Sequence, residues 1–247
     1  MKLRRFTIPC RRSTAPVTSI AVTADLHSRD SDNALALLAE HKPDIICAPG
    51  DMLQATDRYS VRECFNERGL RFLTECRKLA PVFYSLGNHE RGMTPENRAI
   101  LADAGIVLLD NAWTSLGDLT IGGLSSGYVG GVAKQRQTPP PDTDFLHRFA
   151  MQNGFHLLLC HHPEYWRGYI RDLPVELTLS GHAHGGQWQI PFTDRGVFAP
   201  GQHLFPKYTS GIYEDRLAVS RGMANTVCIP RFFNPREILL LELDCGR

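Results

Sequence analysis

Short apolar runs, each followed closely by aspartate, asparagine or histidine, set the tightest limit on how this chain can fold. Five such runs occur, at residues 19–22, 45–48, 82–86, 155–160 and 177–179. Runs of this length that end near glycine or proline are typical of buried strands. In open α/β sheets the active site is built beyond the carboxyl ends of the strands. The sequence therefore predicts that the polar residues after the five runs meet in one place.

The segments between these runs carry helix signals. Helices are expected from a cap at Ser31 or Asp32, over Arg58–Leu79, from Thr94–Pro95 to a stop at Gly105, and over Thr143–Asn153. A further strand is expected over Gly105–Leu109, and short strands without helices at Leu217–Ser220, Val227–Ile229 and Ile238–Leu241. This order predicts an α/β fold in which two sheets pack face to face with helices outside. We expect one domain over residues 1–247, with 1–16 as a loosely ordered N-terminal segment.

The bulk composition excludes several classes of protein. A net charge of +1 over 247 residues leaves no electrostatic footprint for nucleic acid, so no nucleic-acid partner is expected. Seven scattered cysteines, two of them inside apolar runs, suit reduced thiols in a cytosolic protein. The basic N-terminus lacks the apolar region of a signal peptide, and no stretch approaches the length of a membrane span. We expect a cytoplasmic protein, with contact at the membrane periphery as an alternative.

Seven of the residues that follow the apolar runs carry metal-ligating atoms: Asp25, His27, Asp51, Asn88, His161, His182 and His184. Seven ligands are too many for one ion, but they suit two ions that share a carboxylate. Two ions about 4 Å apart can clamp the attacking and leaving oxygens of an in-line displacement at phosphorus, and they stabilise a bridging hydroxide near neutral pH. Imidazole and carboxylate donors without thiolate favour manganese, iron or zinc.

The order of these motifs resembles that of the calcineurin-like metallophosphoesterases. The five matching blocks are Asp25-x-His27, Gly50-Asp51, Gly87-Asn88-His89-Glu90, His161-x-Pro163 and Gly181-His182-x-His184. The resemblance implies a four-layer sandwich of two sheets with flanking helices. It implies that Asp25, His27, Asp51 and His184 hold one metal, and that Asp51, Asn88, His161 and His182 hold the other. His89 would not bind metal but would face the leaving-group oxygen as the catalytic residue.

A narrower resemblance links the chain to a bacterial branch of small phosphodiesterases. The segments that carry it are 181–187, Phe198–Gly201, Gly211–Tyr213, Ser220–Gly222 and Pro235–Ile238. Some members of that branch cleave the pyrophosphate of UDP-2,3-diacylglucosamine. This chain departs from the branch because it lacks the usual N-terminal signal or anchor, and because Gln54 stands where an acidic residue is often found.

Several alternatives remain open at this point. His162 could replace His161 as a ligand, although the family pattern favours His161. Substrate contacts are expected from Tyr165, Trp166, His203 and Phe205 if these residues form a rim for an apolar or nucleotide group. The alternative is that they belong to a loop packed on itself. The leading hypothesis is a phosphodiesterase acting on a small phosphorylated substrate. A pyrophosphatase of a lipid-linked nucleotide and a non-catalytic interaction module are the alternatives.

Overall fold

The structure, a computed structural model, describes residues 1–10, 17–29, 31–54, 67–129, 137–225 and 229–245. Within these ranges fourteen strands run β1 Lys2–Pro9, β2 Ser19–Val22, β3 Ile45–Pro49, β4 Val82–Ser85, β5 Val107–Leu109, β6 Ala112–Leu116, β7 Leu119–Leu124, β8 Phe155–Cys160, β9 Leu177–Ser180, β10 Phe198–Ala199, β11 His203–Leu204, β12 Gly211–Tyr213, β13 Leu217–Val219 and β14 Glu237–Asp244. The helices are α1 Asp32–His41, α2 Glu67–Leu79, α3 Pro95–Asp103 and α4 Thr143–Ala150.

Two six-stranded sheets dominate the described part of the chain. The first has the order β1-β14-β2-β3-β4-β5, and the second has the order β12-β13-β9-β8-β7-β6. Strands β2 to β5 are mutually parallel, as are β7, β8, β9 and β13. The carboxyl ends of β2, β3 and β4 therefore share one edge of the first sheet, and those of β8 and β9 share one edge of the second.

Alternation along the strands explains why the two sheets pack together. In β3, Ile45 and Cys47 lie in the core between the sheets, whereas Ile46 and Ala48 pack towards α1, α2 and α3. Strand β8 alternates in the same way, with Leu157 and Leu159 between the sheets. Its other face packs against α4 and a one-turn π-helix at Trp166–Ile170. The result is the helix–sheet–sheet–helix sandwich expected from the order of elements.

Local signals place the helix ends. Thr94 Oγ1 accepts a hydrogen bond from the backbone amide of Asn97 at 3.2 Å, and Pro95 occupies the first turn of α3. The carboxylate of Asp142 caps α4 by accepting from the amide of Phe145 at 2.8 Å. Ser31 is the residue before α1 but makes no side-chain cap bond. None of the helices in the described ranges has the length and apolar character needed to span a membrane.

Three sequence expectations differ from the structure or fall beyond it. Loose order over residues 1–16 is wrong for Lys2–Pro9, because β1 pairs in parallel with β14 along its whole length. That pairing joins strands more than two hundred residues apart, so no local pattern reveals it. The expected helix over Arg58–Leu79 is confirmed from Glu67 onward, while residues 58–66, like 226–228, lie outside the described residues.

Candidate metal centre

The turns after β2, β3, β4, β8 and β9 meet at one site between the two sheets. Backbone bonds hold the first two turns together, since the amide of His27 donates to the carbonyl of Asp51 at 2.9 Å. The second sheet joins through the amide of His182, which donates to the carboxylate of Asp25 at 3.1 Å. The turn after β4 joins through the amide of His89, which donates to Asp51 Oδ1 at 2.8 Å. These contacts connect residues that lie up to 157 positions apart.

Five of the candidate ligands have a left-handed backbone. The φ angles are 54° for Asp25, 50° for His27, 55° for Asp51, 64° for His182 and 47° for His184. This conformation is uncommon for residues other than glycine and costs on the order of 1 kcal/mol each. It turns each chain sharply at the end of its strand. Clustered strain of this kind is typical of functional sites, and sequence patterns do not reveal it.

Asp25, His27 and His184 form the first metal-capable cluster. Oδ1 of Asp25 lies 3.9 Å from Nε2 of His27 and 3.6 Å from Nε2 of His184. Asp25 and His27 are buried, whereas 14% of the His184 side chain is exposed. One carboxylate and two imidazoles thus face a common point.

Asp51, His161 and His182 form the second cluster, next to the first. Oδ2 of Asp51 lies 3.2 Å from Nε2 of His161 and 3.7 Å from Nε2 of His27. A single carboxylate therefore contacts histidines of both clusters. Asn88, on the turn after β4, has a buried Oδ1 for which no hydrogen-bond partner is found among the described residues.

Two glycines make room for the carboxylates. A Cβ on Gly87 would overlap Oδ1 of Asp51, and a Cβ on Gly181 would lie 2.6 Å from Oδ2 of Asp25. Neither glycine has a positive φ, so space rather than backbone freedom requires glycine here. The glycines before Asn88 and His182 are thereby explained by the carboxylates they face.

The protonation states suit metal binding. Burial holds the pKa of His27, His182 and His184 below the usual histidine value, so these rings are neutral, the form that binds a cation. Burial also lowers the pKa of His161, but the adjacent Asp51 carboxylate outweighs it and raises that pKa to about 10. A cation between Asp51 and His161 would take the place of this ring proton.

Unpartnered atoms provide an independent test of whether the residues fit metal ions. Nε2 of His27 is buried and accepts or donates no hydrogen bond within the described ranges, and Nε2 of His161 is buried with the Asp51 carboxylate 3.2 Å away. The opposite ring nitrogen of His161, Nδ1, donates to the carbonyl of Pro49 at 2.9 Å, which directs Nε2 towards Asp51. Buried polar atoms are rarely left unpaired in proteins. Together with Oδ1 of Asn88 they have the chemistry expected of metal ligands.

His161 is better placed than His162 to be the ligand. Both ring nitrogens of His162 already have partners, Glu164 Oε1 at 3.2 Å and Ser126 Oγ at 2.7 Å. Glu164 also lies 3.8 Å from Nε2 of His182. Burial raises the pKa of its carboxyl, but the adjacent His162 and the hydrogen bond from Thr138 outweigh burial and lower that pKa to about 2. His162, Glu164 and His182 form a metal-capable group of their own, and Glu164 is a residue that the sequence argument did not select.

Glu90 joins the turn after β3 to the turn after β4. Its fully buried carboxylate accepts hydrogen bonds from the amides of Asp51, Leu53 and Gly87 at 2.8–2.9 Å and from the hydroxyl of Tyr84 at 2.6 Å. Burial and the charge of Asp51 raise the pKa of Glu90 to about 7. The sequence suggests that Glu90 orients His89 or caps the next element, and does not suggest that it joins the turns after β3 and β4. The only available signal was its position directly after Gly87-Asn88-His89 at the end of a buried strand.

Arg231 contacts the first cluster from outside. Its guanidinium donates to Nδ1 of His184 at 3.1 Å and to the carbonyls of Arg221 and Ala224. Burial lowers the pKa of Arg231 to about 10. As placed, this contact keeps the proton of His184 on Nε2, so a cation on Nε2 requires the guanidinium to shift. No local pattern around Arg231 predicts this contact.

Two of the four residues expected to contact substrate lie in the core. Trp166 is fully buried against α4 and β8, and Tyr165 is 3% exposed, with its hydroxyl donating to the carbonyl of Pro139. Of the two alternatives, burial favours the packed loop over the rim for both residues, because apolar packing takes the side chains inward. His203 and Phe205 are exposed on or beside the β10–β11 hairpin.

His89 lies at the open side of the centre. Its side chain is 35% exposed, more than that of His27, His161, His182 or His184. Nε2 of His89 lies 3.9 Å from Oδ2 of Asp51, and Nδ1 contacts Oε1 of Gln54 at 2.8 Å. His89 also falls within a metal-capable group with His27 and Asp51, so distance alone permits it to be either a ligand or a proton donor.

Comparison with known families shows which family the chain that carries this site belongs to. The calcineurin-like phosphoesterase family model matches residues 18–186, a range that contains all seven candidate ligands and His89. The chain belongs to the calcineurin-like phosphoesterase family. The two-sheet sandwich and the expected family are thereby confirmed.

Two bacterial relatives extend over most of the chain. Phosphodiesterase YaeI of Escherichia coli (strain K12) is 30% identical over 260 aligned residues, which cover 98% of this chain and 88% of that protein. The uncharacterized metallophosphoesterase YkuE of Bacillus subtilis (strain 168) is 27% identical over 227 residues, covering 87% of this chain and 72% of that protein. Family membership makes this chain a metal-dependent phosphoester hydrolase.

Proposed function

We propose that this protein hydrolyses phosphodiesters with the help of two transition-metal ions. The position of Asp51 carries the proposal, because its carboxylate contacts the histidines of two adjacent clusters. A bridging carboxylate between two ligand sets is the arrangement that a two-metal centre requires. The name of the relative YaeI supports a diester as substrate. A non-catalytic role is less well supported, because every ligand and His89 are present.

The ligand assignment follows the two clusters. Asp25, His27, Asp51 and His184 would hold one ion, and Asp51, Asn88, His161 and His182 the other. Mixed nitrogen and oxygen donors without thiolate favour manganese, iron or zinc over magnesium or calcium. Bound ions would supply Lewis-acid stabilisation of the phosphoryl oxygens and lower the pKa of a water nucleophile.

His89 would act on the leaving group. Its ring is the most exposed of the histidine rings at this site. The backbone amide of His89, and not its side chain, donates the hydrogen bond to Asp51. Nε2 can therefore face the substrate and deliver a proton to the departing oxygen. General acid catalysis of this kind typically contributes about 10²–10⁴-fold.

The proposal is tested by loading the purified protein with manganese and measuring hydrolysis of bis-p-nitrophenyl phosphate and p-nitrophenyl phosphate. We expect the diester to be the better substrate by kcat/KM, and expect Asp51→Asn to remove most of the activity. His147→Asn, a change at an exposed histidine of α4, is the matched control and should leave activity unchanged. Metal-loaded protein that hydrolyses neither compound would contradict the proposal.

An aromatic surface next to the centre supports contact with a membrane. Thirteen large apolar side chains are exposed in the described residues, and nine of them lie on two loops. These nine, which we call the aromatic surface, are Trp188, Ile190, Phe192, Phe198, Leu204, Phe205, Ile229, Phe232 and Phe233. Backbone bonds join the loops into one patch, since Gln189 donates to the carbonyl of Phe232 and Val197 to that of Trp188. An apolar patch of this kind marks an interaction site.

Charge favours an anionic bilayer as the occupant. Apart from Arg231, whose guanidinium is turned inward to His184, residues 187–207 and 229–236 contain three cationic side chains and one acid, Asp194, which already pairs with Arg4 and Arg221. Basic groups beside exposed aromatic side chains suit a lipid interface. We therefore propose that the protein attaches peripherally to the membrane, where a substrate with an apolar group would lie close to His184.

Vesicle co-sedimentation tests this attachment. We expect binding to phosphatidylcholine vesicles that contain phosphatidylglycerol, and binding about 10- to 100-fold weaker for Phe192→Ser, since burying one phenylalanine contributes about 1.5–3 kcal/mol. Met151→Ser, at an exposed residue outside the aromatic surface, is the matched control. Equal binding by both variants would contradict the assignment, and a concentration-dependent dimer that Phe192→Ser abolishes would assign the surface to a second copy of the chain.

We propose that the protein is cytoplasmic, a location that its thiols support. Cys10, Cys47, Cys76, Cys160 and Cys245 are all free. Burial raises the pKa of the Cys47, Cys76 and Cys160 thiols, which makes them unreactive. Cell fractionation, with an antibody to detect the protein, tests this location. Recovery outside the cytoplasmic and inner-membrane fractions would contradict it.

A further inference from the structure

Gln54 connects two histidines of different expected roles. Its side-chain amide contacts Nδ1 of His27 through Nε2 and Nδ1 of His89 through Oε1, each at 2.8 Å. The two rings lie edge to face with their centroids 4.5 Å apart. The amide is thus in direct contact with a proposed ligand on one side and the proposed proton donor on the other.

The opposite nitrogens of both rings point at the centre. Nε2 of His27 lies 3.7 Å and Nε2 of His89 lies 3.9 Å from the same oxygen, Oδ2 of Asp51. A neutral imidazole carries one proton, and the nitrogen that holds it is set by the hydrogen bond of the other nitrogen. The partner of Nδ1 therefore decides which ring presents a proton at Asp51.

A carboxamide imposes opposite requirements on its two neighbours, because one end only accepts and the other only donates. In the orientation seen here, His27 accepts at Nδ1 and carries its proton on Nε2, while His89 donates from Nδ1 and has no proton on Nε2. A cation on Nε2 of His27 forces the proton of that ring onto Nδ1, which then needs an acceptor. Among the described residues the recorded partner of this nitrogen is the Gln54 amide, so Oε1 becomes the acceptor when the amide turns over.

We propose that Gln54 is a positioning residue that couples metal binding at His27 to the tautomer of His89. With the amide turned over, its NH₂ group donates to Nδ1 of His89, so the His89 proton moves to Nε2, where it can be delivered to a leaving group. No proton is gained or lost by His89 in this exchange. The chain therefore holds a proton at the reactive position of His89 only when the ion at His27 is bound. This inference rests on the proposed function for the role of His89.

A carboxylate at this position could not perform the exchange. Both oxygens of a glutamate accept, so Nδ1 of His27 and Nδ1 of His89 would both remain protonated whether or not metal is bound. Gln54→Glu keeps the length of the side chain, replaces the donor by a second acceptor and adds a negative charge, and Gln54→Met controls for that charge. The substitution therefore separates the coupling from simple packing.

Nitrogen NMR on protein labelled with ¹⁵N-histidine reads the tautomers directly, using Zn²⁺ as a diamagnetic ion. In the wild-type protein, the ¹⁵N resonances of His89 should report a protonated Nδ1 before addition of Zn²⁺ and a protonated Nε2 after it. Gln54→Glu should show a protonated Nδ1 on His89 in both states. His156, whose ring nitrogens contact the carbonyls of Pro174 and Gln152, is the internal control and should not change.

The outcomes separate this inference from the proposed function. Zn²⁺ bound at Nε2 of His27 without a change of the His89 tautomer would overturn the inference. A tautomer change at His89 in Gln54→Glu, like that expected of the wild type, would overturn it as well. Zn²⁺ that leaves Nε2 of His27 unaffected would overturn both the inference and the ligand assignment. A change at His89 in protein that hydrolyses no phosphodiester would support the inference and refute the proposed function. If Gln54→Glu fails to fold, Gln54→Met removes both hydrogen bonds at similar length, and the change at His89 should then be lost.

Discussion

Replacing Gly87 by alanine should collapse the centre, because the space next to this residue is occupied by Asp51. The new Cβ would overlap Oδ1 of Asp51 and would lie 2.7 Å from its backbone nitrogen, whereas ordinary contacts begin at 3.4 Å. Rotating the Asp51 side chain could relieve the first overlap but not the second. The backbone of the β3 or β4 turn must therefore move.

The magnitude follows from two costs. Overpacking of this kind costs about 1–3 kcal/mol. Displacing the Asp51 carboxylate also breaks its charge-assisted bond from the amide of His89, worth about 1.5–3 kcal/mol. We expect a loss of about 3–5 kcal/mol in the free energy of unfolding and a fall in Tm of about 10 °C, since a chain of this size loses about 2–4 °C per kcal/mol.

Urea denaturation of the metal-free protein measures the stability, and elemental analysis of the reloaded protein measures the metal content. Gly168→Ala is the matched control, because no heavy atom of the described residues outside its own helical turn and chain neighbours lies within 4 Å of its Cβ position, and it should change stability by less than about 1 kcal/mol. We expect Gly87→Ala to lose metal as well as stability. A variant that unfolds like the wild type and retains two ions would refute the reasoning about Asp51.

Three further predictions address individual residues. Asp51→Asn should lower kcat more than removal of any unshared ligand such as His184, because the Asp51 carboxylate lies against histidine rings of both clusters; equal losses would contradict its bridging role. His89→Asn should retain both metals and lower kcat by about 10²–10⁴-fold on alkyl diesters, but less on p-nitrophenyl esters, which need little protonation; loss of a metal would make His89 a ligand. Trp166→Ala should cost about 3–5 kcal/mol in unfolding free energy with KM unchanged in the folded fraction, and a raised KM at full stability would restore the rim hypothesis.

Strand ends were predictable from the sequence because the apolar runs are short and strongly marked. Ile45–Ala48 and Phe155–Cys160 appear as β3 and β8 at nearly the predicted bounds. The side chains that follow them also assemble as expected, since parallel strands place their carboxyl ends at one edge. Local pattern and topology act in the same direction at these positions.

The remaining features depend on contacts between distant parts of the chain. Strand β1 forms only because β14 provides its partner, and Trp166 is buried only because β8 and α4 cover it. Gln54 lies 27 residues from His27 and 35 from His89, so its double contact has no local signature. The left-handed backbone of Asp25 and Asp51 is likewise imposed by the assembled turns.

Anomalous diffraction from crystals of the metal-loaded protein tests the two-metal centre most directly. The account predicts two peaks about 4 Å apart, one on each side of the Asp51 carboxylate, the first against His27 and the second against His161. A single peak, or two peaks that do not share Asp51, would contradict it.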